Sequence, residues 1–384
     1  MNKIDRIINL EISEANLTSN IVNSKKIVAY GFGQGFLTFN EFVIKKCGLD
    51  LHSIIDQRFD NTEIINGIKV TNLSSFEDPD LSKFIVVITI GDFATQEIVR
   101  SELYKKGFQR VVTAFDFYEY HLSHASTEVI CGGNQYYRFH QSQISNAYGS
   151  LQDEESELVF EQVLSLYVSR KIKKIRSRHI SEQYISKDIP LKKGYIDWIN
   201  FGAYNGDTVR NIVNSFGPLN SLICIEPDLS NFAGLTDYLA NKNLTIAKEI
   251  LALPLACGYE NQYVKFSGNG TNSSIIPIHE RNENLSNYDS TNVVLVANFD
   301  RILINKKISM INMDIEGAEV SALRGLKDTI SRQKPDLAIS IYHEPAHLWQ
   351  ILLLIKSFNL GYQFFVRNYT GYPAETVLYA CTSR

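Results

Sequence analysis

Several classes of protein are excluded by what this chain has little of. Its five cysteines, Cys47, Cys131, Cys224, Cys257 and Cys381, are scattered and odd in number, and no pair has zinc-ligand or CxxC spacing. They read as reduced thiols, which argues against a disulfide-stapled secreted domain and for a cytoplasmic protein. No apolar run approaches the roughly 18 residues of a membrane span. Met1 to Asn20 lacks a long apolar core and carries Asp5, Glu11 and Glu14, unlike a secretory signal. Basic residues are not in excess: 38 Lys and Arg face 42 Asp and Glu, a net charge of -4. That balance favours neither nucleic acid nor an anionic membrane as a main partner. Internal repeats and low-complexity segments are also missing.

What is present is an ordinary globular composition, 44% hydrophobic and 21% charged over 384 residues, long enough for two domains. Apolar runs alternate with helical patterns from Lys26 onward. Lys26–Tyr30, Leu51–Asp56, Phe84–Ile90 and Arg110–Ala114 read as strands, with a helix over Thr95–Lys106. Strands alternating with helices imply a parallel sheet. The first strand runs into Gly31-Phe-Gly-Gln-Gly-Phe36, a turn close to the dinucleotide fingerprint, with Phe36 where the third small residue belongs. Asp56 stands where a ribose-binding acid would fall. Tight NAD binding here, as in an oxidoreductase, is one expectation; a degenerate nucleotide fold kept for substrate handling or assembly is the other.

The region 121–190 reads as a helical connector. Cys131–Asn134 and Tyr148–Ser150 are turn-like. An amphipathic helix opens at Asp153-Glu-Glu-Ser-Glu and carries Leu158, Val159, Val163, Leu164 and Tyr167 at helical spacing. Arg170, Lys171, Lys173 and Lys174 beyond it suit the helix dipole and read as a solvated end.

The most informative stretch is Tyr195-Ile-Asp-Trp-Ile-Asn-Phe-Gly-Ala-Tyr-Asn-Gly-Asp-Thr208: a buried strand, a glycine turn, then a helix through Val209, Ile212 and Val213. Gly202 and Gly206 allow a sharp turn and close approach of a ligand. A second strand, Ser221 onward, ends in Glu226-Pro-Asp228, with Ser230 expected to cap the next helix. Leu255–Cys257 reads as a third strand, Asn269–Ser274 as a polar loop, and Val293–Val296 and Ile308–Asp314 as strands. The last opens into Asp314-Ile-Glu-Gly-Ala-Glu319. Leu337–Tyr342 follows, then Tyr362–Val366 and Glu375–Ala380 as a closing antiparallel hairpin, making about seven strands.

In an open parallel sheet, ligands bind outside the carboxyl ends of the strands. Three strands here end in polar groups: Gly202 to Asp207, Glu226, and Asp314 with Glu316. An acid at the end of the second strand can accept from both hydroxyls of a ribose, and the glycine turn has no phosphate-cradling lysine. The pattern suits a nucleoside without phosphates, S-adenosylmethionine.

From about Leu151 to its end the chain resembles the FkbM family of S-adenosylmethionine-dependent methyltransferases. The resemblance rests on Asp153–Ser156, Asn200–Thr208, Glu226–Asp228, Met313–Glu319 with Leu323 and Gly325, Ala338–His343, and Gly361 through Arg367 to Glu375–Tyr379. It covers about 60% of the chain. It implies an α/β fold: a class I, Rossmann-like, seven-stranded methyltransferase domain over 191–384, preceded by a smaller Rossmann-like domain over 1–120. The implied activity is O-methylation, commonly of sugars or polyketide-type hydroxyls, and the expected acceptor is a sugar or glycan precursor, as in polysaccharide biosynthesis. Gly202, Ala203 and Gly206 would line the methionine side, Glu226 would hold the ribose, and Asp314 and Glu316 would sit where cofactor and acceptor meet. Asn200 replaces the family's usual acid, which would help hold the methionine ammonium; Asp207 is placed to compensate. His343 or Asp314 would take the acceptor proton. For Glu319 the expectation is a cap or pairing role on the following helix. The N-terminal region, by its GFGQGF turn, Ile54-Ile55-Asp56 and Ile68–Val70 ahead of Ile85–Ile90, resembles the Rossmann-like domains attached to sugar-modifying enzymes, which implies a sugar nucleotide contact.

Two rival readings of the same residues stand beside this one. His343-Glu-Pro-Ala-His347 matches the HExxH zinc-protease signature, but Pro345 is tolerated only in a first helical turn, so His343 should precede the helix. Asp314, Glu316 and His343 have the donor types for a divalent cation, although their spacing in sequence does not fix a geometry, and no metal is assigned on it. A catalytically silent scaffold of two nucleotide-like folds is the remaining alternative, suggested by Asn200.

Overall fold

A computed structural model of the chain describes residues 3–9, 22, 24–45, 48–90, 93–114, 134–169, 174–185, 187–269, 272–277 and 292–382. Cys47, Cys131 and the start of its turn, the basic residues Arg170, Lys171 and Lys173, and most of the N-terminal segment up to Asn23 lie outside them. The chain divides into two compact units. One is built mainly from Asp5–His140 with Ser165–Ile172, the other mainly from Gln141–Leu164 with Lys173–Arg384.

The first unit has six strands: β1 (Lys26–Tyr30), β2 (Leu51–Ile55), β3 (Glu63–Ile65), β4 (Ile68–Thr71), β5 (Phe84–Ile88) and β6 (Val111–Thr113). Their order in the sheet is β3-β4-β2-β1-β5-β6. All neighbours are parallel except β3 and β4. Those two form a tight hairpin, because Asn66 and Gly67 both take positive φ (51° and 77°), the backbone of the turn that matches strand twist. β1 and β5 are almost wholly buried runs, as expected of parallel strands covered on both faces. The close approach in the glycine turn falls on Gly35, where a Cβ would stand 2.0 Å from the Thr89 carbonyl oxygen. Phe36 turns into an apolar cluster with Ala29, Ile54 and Val70.

The second unit contains β7 (Asp197–Phe201), β8 (Leu219–Ile225), β9 (Ala247–Leu253), β10 (Ala256–Cys257), β11 (Gln262–Asn269), β12 (Asn272–Pro277), β13 (Asn292–Ala297), β14 (Met310–Met313), β15 (Asp336–Ser340), β16 (Tyr362–Asn368) and β17 (Thr376–Thr382). Seven of them form one sheet in the order β16-β17-β15-β14-β7-β8-β9. The five strands from β15 to β9 run parallel, and the β16–β17 hairpin closes one edge antiparallel. This is the seven-stranded class I methyltransferase architecture. β7 and β14 lie side by side at its centre, with every residue of both buried.

Three expectations about this unit need correction. The third parallel strand is Ala247–Leu253, not Leu255–Cys257. It follows directly on the helix Leu229–Ile246, and its half-exposed edge position gives it the polar start Ala-Lys-Glu rather than a continuous apolar run. Ala256–Cys257 and Asn292–Ala297 belong to a second, four-stranded sheet in the order β10-β13-β11-β12. The supposed polar loop Asn269–Ser274 is the meeting of two antiparallel strands, with Asn269 paired to Asn272. The helix after β8 is capped by Asp228 and not Ser230: Asp228 Oδ1 accepts from the Ser230 and Asn231 amides, both at 2.9 Å.

The segment before β7 is tied to this unit by Arg367 of β16, a guanidinium only 1% exposed. It donates to Asp153 Oδ2 and Asp188 Oδ2, both at 2.6 Å, and to Ser156 Oγ at 2.9 Å. Ser156 Oγ accepts from the Val366 amide at 2.8 Å. The acids that open the helix Glu154–Ser169 thus stand beside a buried charge as well as at the positive end of a helix.

Candidate active site

A cleft of about 430 Å³ opens at the carboxyl ends of β7, β8 and β14. That lies within the roughly 300–1,000 Å³ usual for small-molecule sites. Its lining brings together Asn200, Gly202, Asp207, Glu226, Asp314 and Glu316, six of the residues selected from sequence. Ala203 and Gly206 do not line it. Ala203 is fully buried in the core behind the turn, and Gly206 (φ 83°) starts the helix Asp207–Phe216, where a Cβ would meet the Tyr238 ring at 2.9 Å.

Gly202 has a double reason to be glycine. Its φ is 77°, and a Cβ there would fall 1.8 Å from the Asp314 carbonyl oxygen. The turn after β7 is pressed against the end of β14, which puts the glycine loop and the Asp314 loop on one cleft. The Gly202 and Ala203 amides both donate to the Ile225 carbonyl, at 2.9 and 3.0 Å, and lock the turn to β8.

Glu226 is 5% exposed and held by the backbone: the Tyr204 amide donates to Oε2 at 2.8 Å and the Asp228 amide to Oε1 at 2.9 Å. The Asn231 side chain also bonds to it. Burial raises its pKa, against the pull of these three bonds. Asn200 is 3% exposed, and its Nδ2 has no hydrogen-bond partner. An unmet donor costs about 1–3 kcal/mol, so one facing a cleft fits a polar ligand.

The opposite wall of the cleft is a network of acids and phenols. The Tyr184 hydroxyl donates to Asp314 Oδ2 at 3.1 Å, and the Tyr342 hydroxyl to Asp314 Oδ1 at 3.3 Å. Gln183 Nε2 donates to Glu375 Oε2 at 2.5 Å. Burial pushes both Glu316 and Glu375 up to about 7. Of the seven non-glycine residues with positive φ among the described residues, four line this cleft: Tyr184, Tyr204, Glu316 and Glu375. Such strain gathers where function requires it.

His343 lies just behind. Its Nδ1 donates to Glu319 Oε1 at 2.8 Å. Its Nε2 stands 3.3 Å from Asp314 Oδ1 and 3.6 Å from Glu316 Oε2, without hydrogen-bond geometry to either. Burial alone would lower its pKa, but Asp314 and Glu319 outweigh that and push it up to about 11. A histidine so held is a cation at neutral pH and a poor base. Glu319 is completely buried and also accepts from the Ile315 amide at 3.0 Å. Burial alone would raise its pKa, yet its bonds from His343 and His347 hold it well below the usual carboxylate range.

The HExxH match dissolves in this arrangement. His347 begins the helix His347–Ser357, and His343 lies before it, so the two share no helical face. Both turn instead to Glu319, His347 Nδ1 at 3.3 Å from Oε2. In the first unit, Asp56 is already engaged by the Phe32 amide at 2.7 Å, the Arg58 amide at 2.9 Å and the Arg58 guanidinium at 2.7 and 3.0 Å. A ribose at Asp56 would have to displace Arg58.

Sequence reasoning missed Gln183, Tyr184, Tyr204 and Tyr342 as cleft residues. Two of them carried a signal, Tyr204 within the glycine turn and Tyr342 at the end of an apolar strand. Gln183 and Tyr184 come from an irregular segment with no pattern to mark them.

Residues 200–364 match the family model described as the Methyltransferase FkbM domain. The fold is similar to that of methyltransferase FkbM from Methylobacillus flagellatus KT, at 20% identity and a TM-score of 0.70, over 99% of this chain and 93% of that one. More distant are Aeropyrum pernix fibrillarin with natively bound S-adenosyl-L-methionine (10% identity, TM-score 0.31, 50% of this chain and 69% of that one) and precorrin-6y C5,15-methyltransferase from Geobacter metallireducens GS-15 (11%, 0.32, 56% and 93%). No curated protein sequence matches the chain.

The second unit is therefore that of a class I, S-adenosylmethionine-dependent methyltransferase. More narrowly, the C-terminal region carries an FkbM methyltransferase domain, preceded by an α/β domain of different topology.

Proposed function

We propose that this methyltransferase acts on a hydroxyl of a sugar or glycan precursor, in the cytoplasm and in polysaccharide biosynthesis. The observation that carries the reading is the asymmetry of the cleft. On one side, Glu226 presents a carboxylate fixed by the backbone, suited to accept from vicinal ribose hydroxyls, and Asn200, Gly202 and Asp207 surround the place proposed for the methionine tail. On the other, Asp314, Glu316, Tyr342 and Glu375 present many acceptors to a molecule rich in hydroxyls and repel one rich in phosphate or carboxylate. S-adenosylmethionine, when bound, supplies an electrophilic methyl group on sulfur. The chain's part is to align an acceptor hydroxyl with that methyl group and to receive its proton. Asp314, which faces the cleft, is the acceptor of choice; His343, held as a cation, supports the charge of Asp314. Among the described residues no helix is long and apolar enough to cross a membrane.

Calorimetry of S-adenosylmethionine binding tests the cofactor side. Glu226→Ala should weaken binding by at least tenfold, and an undiminished affinity would remove the ribose role. The acceptor side is tested by transfer of labelled methyl to a panel of neutral sugars, amino sugars and sugar phosphates, with the neutral and amino sugars preferred.

A further inference from the structure

Two consecutive residues reach the cleft from outside the sheet, and each donates to one of its acids. Gln183 Nε2 donates to Glu375 Oε2 at 2.5 Å, and the Tyr184 hydroxyl donates to Asp314 Oδ2 at 3.1 Å. We infer that Tyr184 is a positioning residue for methyl transfer, its hydroxyl holding the Asp314 carboxylate toward the place of the cofactor's methyl group. The inference rests on the proposed role of Asp314 as the group that receives the acceptor's proton. Tyr184 is itself held at both ends of its backbone. Its amide donates to the Tyr379 hydroxyl at 3.0 Å, and its carbonyl accepts from the Tyr195 hydroxyl at 2.5 Å. The Tyr379 hydroxyl lies 2.6 Å from that of Tyr369. The φ of Tyr184 is 64°, a conformation that a bulky aromatic residue rarely adopts. Such strain persists only where the surroundings over-determine it. Here three tyrosines hold a strained backbone, and the arrangement delivers one phenol to Asp314.

The direction of these bonds follows from the groups themselves. A carboxylate only accepts, so the Tyr184 hydroxyl must donate to Asp314. The wholly buried Ser340 Oγ, 3.2 Å from Tyr184 Oη, is then left to donate to Tyr184. A hydroxyl that accepts one hydrogen bond is a stronger donor in the next. The other neighbours of Asp314 set no such direction. The Tyr342 hydroxyl is divided between Asp314 Oδ1 at 3.3 Å, Oδ2 at 3.4 Å and Glu375 Oε1 at 3.5 Å. His343 Nε2 attracts the carboxylate by charge but without hydrogen-bond geometry. The Asp314 amide is already fixed to the Phe201 carbonyl at 3.0 Å. What remains free is rotation of the Asp314 side chain, and Tyr184 restrains it. That restraint bears on rate, because a misplacement of about 1 Å in a reacting group can cost about 100-fold.

The test needs no acceptor substrate. Sinefungin carries an ammonium group in the place of the sulfonium methyl, whereas S-adenosylhomocysteine has nothing there. The ratio of their affinities for the full-length protein, measured by calorimetry, therefore reads the carboxylate that faces the methyl position. A general loosening of the fold would weaken both ligands alike. The unsubstituted protein should bind sinefungin about tenfold more tightly, and Asp314→Asn should remove the preference. Tyr184→Phe keeps the ring and removes the hydroxyl; it should cut the preference about fivefold and leave S-adenosylhomocysteine affinity within about twofold. An unchanged ratio in Tyr184→Phe would overturn the proposal. An equal loss of both ligands would overturn it too, by giving Tyr184 a structural role alone. S-adenosylhomocysteine binding with no preference for sinefungin in the unsubstituted protein would overturn it and leave the methyltransferase reading intact, whereas binding of neither ligand would overturn both.

Discussion

His343 Nδ1 donates to Glu319 Oε1 at 2.8 Å, and this bond joins the loop after β15 to the core. Glu319 starts the helix Glu319–Arg324 and is wholly buried; His343 follows β15 and reaches the wall of the cleft. Without Glu319 the imidazole would have no fixed orientation, and without the histidines Glu319 would be an uncompensated buried charge. Removing one member of such a pair costs about 3–5 kcal/mol. Glu319→Gln should therefore lower stability by that order in urea unfolding; a change below 1 kcal/mol would mean the pair is not closed in solution.

The same cluster sets a pH dependence of stability. His343, raised to about 11, contributes stability that is complete below its unfolded value of 6.5 and is lost as pH climbs toward 11. Glu316 and Glu375, raised to about 7, favour a protonated fold, so the stability they lend in acid fades between 4.5 and 7. Glu319, held low, loses its contribution only as pH falls below 4.5. Melting temperature should accordingly fall by several degrees from pH 6 to pH 9. His343→Gln should flatten the decline above 6.5, and an equally steep decline in that variant would assign it to other groups.

Gly202→Ala should damage the site at its hinge. The new Cβ meets the Asp314 carbonyl oxygen at 1.8 Å, and the left-handed backbone adds about 1 kcal/mol of strain. Loss of S-adenosylmethionine binding together with a lower melting temperature is expected. Normal affinity would show that the β7 and β14 loops can separate without consequence.

Asn200→Asp offers a gain in place of a loss. It removes the unpartnered Nδ2 and supplies a charge for the methionine ammonium. Affinity for S-adenosylmethionine should rise several-fold, while the ligand-free protein becomes less stable because the new carboxylate is buried. Weaker binding in calorimetry would indicate that the Asn200 amide donates to the ligand, most simply to its carboxylate.

Arg367→Ala tests how far the methyltransferase unit extends. Asp153, Ser156 and Asp188 would lose their shared partner, at a cost of about 3 kcal/mol or more. Denaturant unfolding measures it. A negligible effect would detach the segment around Asp153 from the stability of the sheet.

Much of this was legible in the sequence because it is local. The strand, glycine turn and helix at Tyr195–Val213, the acids Glu226 and Asp314 at strand ends, and the closing hairpin are all contiguous patterns whose physics acts within a few residues. The edge strand Ala247–Leu253 was not legible, since a half-exposed strand joined directly to a helix has neither a continuous apolar run nor a clean alternation. The two-sheet division of the second unit was also hidden, because pairing partners are chosen by contacts far apart in the chain.

By itself the sequence determined the class of fold and the cleft-lining acids of the glycine turn and strand ends. Only the tertiary structure decided what those acids do to one another. His343, a candidate base in sequence, becomes a cation because Asp314 and Glu319, 29 and 24 positions away, close on its nearly buried ring. Its proton affinity is a property of that enclosure, where charge is costly unless paired, and no single stretch of the chain encodes it.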